Sequence, residues 1–166
     1  MSRGLNLLGM LVCLGLLLYA ILYAQGVLGL EPCPLCIFQR IGIALIGFLF
    51  LLAGVHNPRR WGARVYGVLL LLVVLATIAV AARHVWIQSA PPGTVASCGA
   101  SLGYMVQIFP VGTVIRKVLT GSGECAKVTW RFLGLTMPAW VLIWAVILGF
   151  IDLIANFGSR RAPRRA

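Results

Sequence analysis

The sequence predicts an all-α integral membrane protein that crosses the bilayer four times. Of its 166 residues, 61% are hydrophobic and 10% are charged, whereas soluble domains carry about 25% charged residues. A helix needs roughly 20 apolar residues to cross a hydrocarbon core about 30 Å thick. Four runs meet this length, and we expect them to form one integral membrane domain over residues 1–166. The runs cover about 5–25, 34–55, 65–88 and 137–157.

The first run is interpreted as an uncleaved transmembrane helix. A signal peptide has an apolar core of about 7–15 residues followed by a small-residue cleavage site. This run is longer, and no clean site of that kind follows it. Small residues within the second run are typical of closely packed helices in lipid. They are Gly42, Gly47, Ala53 and Gly54.

The basic residues are biased toward one side of the predicted membrane. The net charge is +11, and more than half of the 14 Lys and Arg residues lie in three short segments on that side. These are Arg3, Arg59, Arg60, Arg64, Arg160, Arg161, Arg164 and Arg165. Cytoplasmic flanks are enriched in Lys and Arg, so we expect both termini in the cytoplasm and the connections at about 26–33 and 89–136 outside. The pattern and the lack of a recognition motif argue against nucleic acid as a partner.

The long outer connection contains an apolar stretch, "YMVQIFPVGTVIRKVL", that is too short to span the membrane. Pro110 and Gly112 interrupt it. It is apolar enough to lie on the membrane surface as a short interfacial segment. An ordinary loop that covers the end of the bundle explains it equally well.

Four of the five cysteines fall on the outer side, where disulfides form if the compartment is oxidising. Cys33 and Cys36 form a C-x-x-C pair, while Cys98 and Cys125 lie in glycine-rich stretches. The latter two read as a disulfide, either a loop staple or a bond open to exchange with a partner thiolate. Cys13, inside the first run, is expected to act as a small packing residue.

The C-x-x-C pair has three interpretations: a redox dithiol, half of a zinc site, or a structural disulfide. Zinc requires two further ligands, and no second closely spaced pair exists, while His84 lies at a helix end. We therefore predict no metal site. A structural disulfide between residues this close closes a loop too short to stabilise much. The redox interpretation is favoured, and the other two remain open.

Local structure adds to the redox interpretation. Pro34 suits the first helical turn, so Cys33 is predicted to be the N-cap, where the helix dipole favours thiolates at Cys33 and Cys36. Arg40 follows Cys36 by four residues and shares its helix face. A membrane-embedded arginine costs about 2.5–3.5 kcal/mol on insertion scales, which usually marks a functional site. The alternative is that Arg40 extends to the lipid headgroups.

Taken together, these residues resemble the DsbB family of disulfide oxidoreductases. The resemblance rests on "PCPLCIFQR", on the Cys98–Cys125 loop and on "SGECAKVTWRFLGLTMPAW" before the last run. It implies a four-helix transmembrane bundle in the bacterial inner membrane, with the cysteine-bearing loops in the periplasm. Such a protein reoxidises a periplasmic thioredoxin-fold protein, DsbA, and passes the electrons to membrane quinone, either ubiquinone or menaquinone.

The resemblance also implies roles for individual cysteines. Cys33 and Cys36 look like the pair beside the quinone, with Cys36 as the thiolate that engages the ring. Cys33 would exchange with the second pair. Cys98 would form the mixed disulfide with the partner, and Cys125 would be its mate.

Two further residues match quinone-site positions of the family. Arg40 matches the family arginine, and His84 resembles a histidine that lines the site, although a packed or surface histidine explains it as well. Gln39 departs from relatives that have an acidic residue there. Two other interpretations remain: a non-enzymatic four-span protein stapled by two disulfides, and a quinone-linked thiol oxidase of the vitamin K epoxide reductase type.

Overall fold

The computed structural model describes residues 2–58, 61–91, 110, 112–113, 123–126, 128 and 130–158. Four long helices make up most of this part of the chain, which confirms the predicted all-α class. A four-residue helix and a two-stranded hairpin precede the last long helix. The elements are α1 (Ser2–Leu18, continued by a π-helix over Tyr19–Val27), α2 (Pro34–His56), α3 (Trp61–Ser89), α4 (Gly123–Ala126), β1 (Arg131–Phe132), β2 (Leu135–Thr136) and α5 (Met137–Asp152, continued by a π-helix over Leu153–Phe157).

Four helices of this part of the chain are long and apolar enough to cross a membrane, as the sequence predicts. They are Ser2–Val27, Pro34–His56, Trp61–Ser89 and Met137–Phe157. The third begins at Trp61, four residues before the predicted start. Hydropathy detects only the part of a helix that crosses hydrocarbon, whereas Trp and Arg favour the interface. The Arg64 guanidinium lies 5.4 Å from the centroid of the Trp61 ring, so the helix continues through this amphipathic turn.

The helices form a closed bundle in which α1 packs against α2, α2 against α3, α3 against α5, and α5 returns to α1. Small residues allow these close contacts, as predicted for the second run. A Cβ atom at Gly47 would lie 2.9 Å from the Cβ of Cys13, which is itself buried in the core. The central core cluster comprises Cys13, Ile43, Ile46, Phe50, Leu70, Val74 and Leu148.

Replacing Gly42 with alanine is expected to destabilise the bundle by about 1–3 kcal/mol, the usual cost of overpacking. The new methyl group would overlap the side chain of Thr77 on α3. That side chain is held by a 2.8 Å hydrogen bond from Oγ1 to the carbonyl of Val73. Gly15→Ala is the matched control, because a Cβ atom there meets nothing within 4 Å. Thermal unfolding of both purified variants in detergent measures the difference, and equal melting temperatures would contradict the assignment.

A buried polar cluster joins α1 to α5 at the end of the bundle far from Cys33. Asn6 and Asn156 exchange amide hydrogen bonds of 3.4 and 3.3 Å. Asn156 also donates to Asp152 Oδ1 at 2.7 Å. Such polar pairs between helices contribute to association in lipid, so this cluster helps to align α1 with α5.

At the opposite end, the hairpin closes over the bundle between the long connection and α5. Its turn places Leu133 and Gly134 at φ values of 50° and 80°. Trp140 on the first turn of α5 donates from Nε1 to the carbonyl of Phe132 at 3.2 Å. Most of the apolar stretch at 104–119, including its predicted interfacial segment, lies outside the described residues, as does Cys98.

Candidate functional site

Cys33 and Cys36 lie at the N-terminus of α2, as their sequence context predicts. Cys33 is the N-cap, and its Sγ accepts a 3.4 Å hydrogen bond from the backbone N–H of Cys36. Pro34 begins the helix. The Cys33 thiol donates to Cys36 Sγ across 3.1 Å. The two sulfurs are therefore adjacent, with Cys36 one turn into the helix.

The acidity of Cys33 differs from the expectation that the helix N-terminus favours its thiolate. The hydrogen bond with Cys125 lowers the pKa of Cys33. Three effects outweigh it: the hydrogen bond that Cys33 donates to Cys36, burial, and the negative charge of Cys36. Together they raise the pKa of Cys33 from 9.0 to about 12. Cys33 therefore holds its proton at neutral pH, because the neighbouring sulfur competes with it for the role of thiolate.

Alkylation of Cys33 by iodoacetamide is expected to keep accelerating as the pH rises beyond 9, because only the thiolate reacts. In Cys36→Ala, the competing hydrogen bond and charge are lost, so the midpoint of this profile shifts to lower pH, toward the ordinary value of 9.0. Mass spectrometry of the Cys33 peptide measures the rate at each pH. Cys13→Ala is the control, and a midpoint that is the same in both variants would contradict the proposed cause.

Arg40 is held within the bundle by the end of the first membrane span. Its Nη1 donates to Gln25 Oε1 at 2.5 Å, and its Nη2 donates to the carbonyl of Ala20 at 3.2 Å. Both partners belong to the π-helical segment that continues α1. These bonds direct the guanidinium toward protein atoms and not only toward lipid headgroups, and keep its charge on the helix face of Cys36.

His84 on α3 lies beside the thiols, with 1% of its surface exposed. Its Nε2 is 3.2 Å from the carbonyl oxygen of Cys125 and 3.7 Å from Cys33 Sγ. Its Nδ1 is 3.2 Å from Gln39 Nε2. Because an amide nitrogen can only donate and a carbonyl can only accept, this arrangement assigns the proton of the neutral ring to Nε2. Gln39, the residue before Arg40, thus orients the imidazole.

The structure brings Cys125 to the same place. Cys125 lies on α4, is buried, and packs with Leu35 of α2 and Ile87 of α3. Its Sγ, the Sγ of Cys33 and a ring nitrogen of His84 all lie within 4.8 Å of one another. Thus one cysteine of the long connection is within reach of the C-x-x-C pair.

A cavity of about 370 Å³ opens on the other side of Cys36, between α1, α2, α5 and the hairpin. Cys36, Gln39 and Arg40 supply its polar groups, and aromatic and aliphatic side chains form the rest of its wall. The aromatic lining comprises Tyr19, Trp130, Phe132, Trp140 and Trp144. Sequence reasoning missed this wall, although Trp140 and Trp144 are four residues apart and so share a helix face.

A second, smaller cavity of about 60 Å³ lies next to the large one. Cys36 and Arg40 line both cavities, whereas Cys33 and His84 line only the smaller one. Cys36 therefore stands between an apolar chamber and the cluster that contains Cys33, His84 and Cys125. His84 is placed at the thiols and not on the wall of the large cavity.

Comparison with known proteins identifies the family of this chain. The family model of disulfide bond formation protein DsbB matches residues 2–155. Disulfide bond formation protein B of Xanthomonas campestris pv. campestris (strain 8004) is 49% identical over 98% of this chain and 94% of its own length. The protein of the same name from Xylella fastidiosa (strain Temecula1 / ATCC 700964) is 45% identical over 97% of this chain and 94% of its own.

The matched residues 2–155 include nearly all of the four membrane spans, and Cys33, Cys36, Arg40, His84 and Cys125 lie within that range. A family model that covers nearly the whole chain, together with relatives at close to half identity, leaves no substantial segment that lacks a counterpart. The chain is a multi-pass membrane protein that belongs to the DsbB family of disulfide bond formation proteins.

Proposed function

We propose that this protein is a membrane thiol oxidase that transfers electrons from a soluble thioredoxin-fold dithiol protein, DsbA-like, to a membrane quinone. One observation carries the proposal: Cys36 and Arg40 line an apolar cavity of about 370 Å³, while Cys33, at 3.1 Å from Cys36, adjoins Cys125 on the other side. The sulfur of Cys36 therefore lies between the cysteines that exchange disulfides and a cavity for a lipid-soluble oxidant.

The chamber suits a quinone head group by volume and chemistry. Ligand pockets are typically about 300–1,000 Å³, mostly apolar, with a few polar groups that fix orientation. Here the aromatic wall offers flat apolar surfaces, and Arg40 supplies a positive charge beside Cys36. A quinone bound there supplies the oxidising power, because it accepts two electrons and two protons as it becomes a hydroquinone. The residues of this chain orient it and supply the sulfur.

Electrons reach Cys36 by successive thiol–disulfide exchange. A thiolate of the partner attacks Cys98 of the Cys98–Cys125 disulfide, forms a mixed disulfide and releases the Cys125 thiolate. Cys125 then attacks Cys33 of the Cys33–Cys36 disulfide, which forms a Cys33–Cys125 bond and releases the Cys36 thiolate. The proximity of Cys125 to Cys33, within 4.8 Å, supports this choice of attacking cysteine.

Two further exchanges complete the cycle. The second thiol of the partner resolves its mixed disulfide and leaves as an oxidised protein, which frees the Cys98 thiolate. Cys98 attacks Cys125 of the Cys33–Cys125 bond, so that the Cys98–Cys125 disulfide is restored and Cys33 is released. Cys33 and Cys36 are then a dithiol, and its oxidation back to a disulfide delivers two electrons to the bound quinone.

This function requires the cysteine end of the bundle to face an oxidising compartment. We place the protein in the bacterial inner membrane with both termini in the cytoplasm and the cysteine-bearing connections in the periplasm. The bias of Lys and Arg toward the opposite end supports this orientation. The exchange partner is then a periplasmic protein, and the oxidant is drawn from the quinone pool of the bilayer.

The redox state of Cys33 and Cys36 in native membranes tests the proposal. We expect the pair to be oxidised in membranes that contain quinone and to accumulate as a dithiol when quinone synthesis is blocked. Thiol labelling with a maleimide that adds mass distinguishes the two states on a gel. A non-enzymatic four-span protein would keep its cysteines oxidised under both conditions, and that result would overturn the proposal.

A further inference from the structure

The cluster of Cys33, His84 and Cys125 has the donor set of a zinc site. Two thiols and an imidazole nitrogen lie within 4.8 Å of one another, and the distance from Cys33 Sγ to His84 Nε2 is 3.7 Å. In a tetrahedral site with zinc bonds of about 2.0–2.3 Å, neighbouring donor atoms are about 3.5–3.8 Å apart. We infer that the reduced protein binds one Zn²⁺ ion through Cys33 Sγ, Cys125 Sγ and His84 Nε2.

The spacing of residues along the chain does not predict this site, because the three ligands belong to three separate elements. Cys33 caps α2, His84 lies near the end of α3, and Cys125 belongs to α4. Spacing along the chain, which led us to predict no metal site, has no bearing on ligands that the tertiary fold assembles. His84 and Cys125 are each 1% exposed, so these two ligands are shielded from competing water.

Gln39 supplies the outer partner that a zinc-bound histidine usually has. A ligating histidine donates its other ring N–H to a carbonyl or carboxylate, which orients the ring. The side-chain amide of Gln39 lies 3.2 Å from His84 Nδ1. When Nε2 binds the metal, the ring proton moves to Nδ1, and rotation of the Gln39 amide presents its oxygen to that N–H. His84 then gives up its bond to the Cys125 carbonyl.

Zinc binding at this site and disulfide exchange exclude each other. A Cys33–Cys36 or Cys33–Cys125 disulfide removes at least one thiolate ligand, so only the reduced protein binds. Bound zinc in turn occupies the sulfur lone pairs that exchange requires, and it holds the protein reduced. Two of the three ligands, Cys33 and His84, line the cavity of about 60 Å³, which has room for a water molecule as the fourth ligand. The site rests on donor geometry alone and does not depend on quinone being the oxidant.

Cobalt(II) titration of the reduced protein tests the inference, because tetrahedral Co²⁺ bound to thiolate has a distinctive absorption spectrum. The starting variant is Cys98→Ser, in which Cys98 cannot supply a sulfur. We expect one Co²⁺ per chain with a tetrahedral thiolate spectrum, and displacement by Zn²⁺. Adding His84→Ala or Cys125→Ser is expected to weaken zinc binding at least about 10-fold. Cys13→Ser, buried in the core far from the cluster, is the matched control and leaves affinity unchanged.

Gln39→Glu gives a prediction that a merely structural role does not make. A carboxylate that accepts from Nδ1–H makes the imidazole a stronger ligand, so zinc affinity is expected to rise about 10-fold. X-ray absorption on the zinc-loaded Cys98→Ser protein, which needs no substitution at a ligand, must show sulfur and nitrogen together. Sulfur-only coordination, or affinity that is insensitive to both His84→Ala and Cys125→Ser, would overturn the site. Oxidised protein that binds zinc as tightly as reduced protein would overturn it too.

Discussion

Quinone reduction by the Cys36→Ser variant is expected to fall by at least about 1,000-fold in kcat/KM, the order of loss seen when a catalytic nucleophile is removed. Cys36 is the sulfur that reaches the large cavity, whereas Cys33 lines only the smaller one. A serine hydroxyl at this position neither ionises at neutral pH nor forms a disulfide. Electrons from the partner therefore cannot reach a quinone bound in the large cavity.

The assay uses purified protein in detergent, a water-soluble quinone and a reduced thioredoxin-fold dithiol protein, and it follows quinone absorbance. Cys13→Ser is the control, because that thiol packs against Gly47 in the core, away from both cavities. In Cys36→Ser the Cys33 thiolate can still attack Cys125 of the Cys98–Cys125 disulfide, which forms a Cys33–Cys125 disulfide and releases Cys98, so we expect this disulfide in protein kept apart from the reduced partner. Peptide mapping without reduction detects it. Normal quinone reduction by Cys36→Ser or by Cys33→Ser would refute the proposed electron path.

Replacing Arg40 with methionine is expected to lower kcat/KM for quinone by about 100-fold, a typical loss for one group that stabilises developing charge in a poorly hydrated site. The guanidinium lines the chamber beside Cys36. Its hydrogen bonds to Gln25 and Ala20 hold it there before the reaction begins. Negative charge on sulfur or on the quinone oxygen thus meets a positive group that does not have to reorganise.

Two companion variants separate charge from position. Arg40→Lys keeps the charge but loses the planar fork that bonds to two acceptors, so we expect an intermediate loss. Gln25→Leu keeps the arginine but removes its hydrogen-bond partner at the end of the first span. Its kcat/KM for quinone should fall by about 10-fold, less than in Arg40→Met. The rate of exchange with the partner, measured in a single turnover without quinone, should be unchanged in all three. Equal losses in both assays would mean that Arg40 supports the fold and not the quinone step.

The parts of the site that could be predicted are those encoded over short distances. The N-cap at Cys33, the proline in the first turn and the placement of Arg40 on the face of Cys36 follow from helix geometry within eight residues. The membrane spans were predictable for a related reason. Bilayer thickness sets the length of an apolar run whatever the helix packs against.

The acidity of Cys33 could not be predicted in the same way. The helix N-terminus favours a thiolate in general, yet a sulfur at 3.1 Å competes for that role, and burial opposes charge. Which of two adjacent thiols ionises depends on donors and solvent exposure that surrounding elements supply. One such contribution is the hydrogen bond from Cys125 on α4, which lowers the pKa of Cys33.

Composition and local spacing are enough to identify four membrane spans, a pair of cysteines at the start of a helix, and an arginine one turn beyond that pair. The packing of the helices brings His84 to Cys33, 51 residues away in sequence, and brings Cys125 to the same cluster. It also places aromatic residues of the hairpin and α5 around the large cavity beside Cys36. The physical reason is that rotation and register between helices in lipid are set by side-chain packing, such as that of Gly42 on Thr77 and Gly47 on Cys13. The hydropathy of a membrane span is the same at every rotation of the helix about its axis, so it does not predict which side chains face one another.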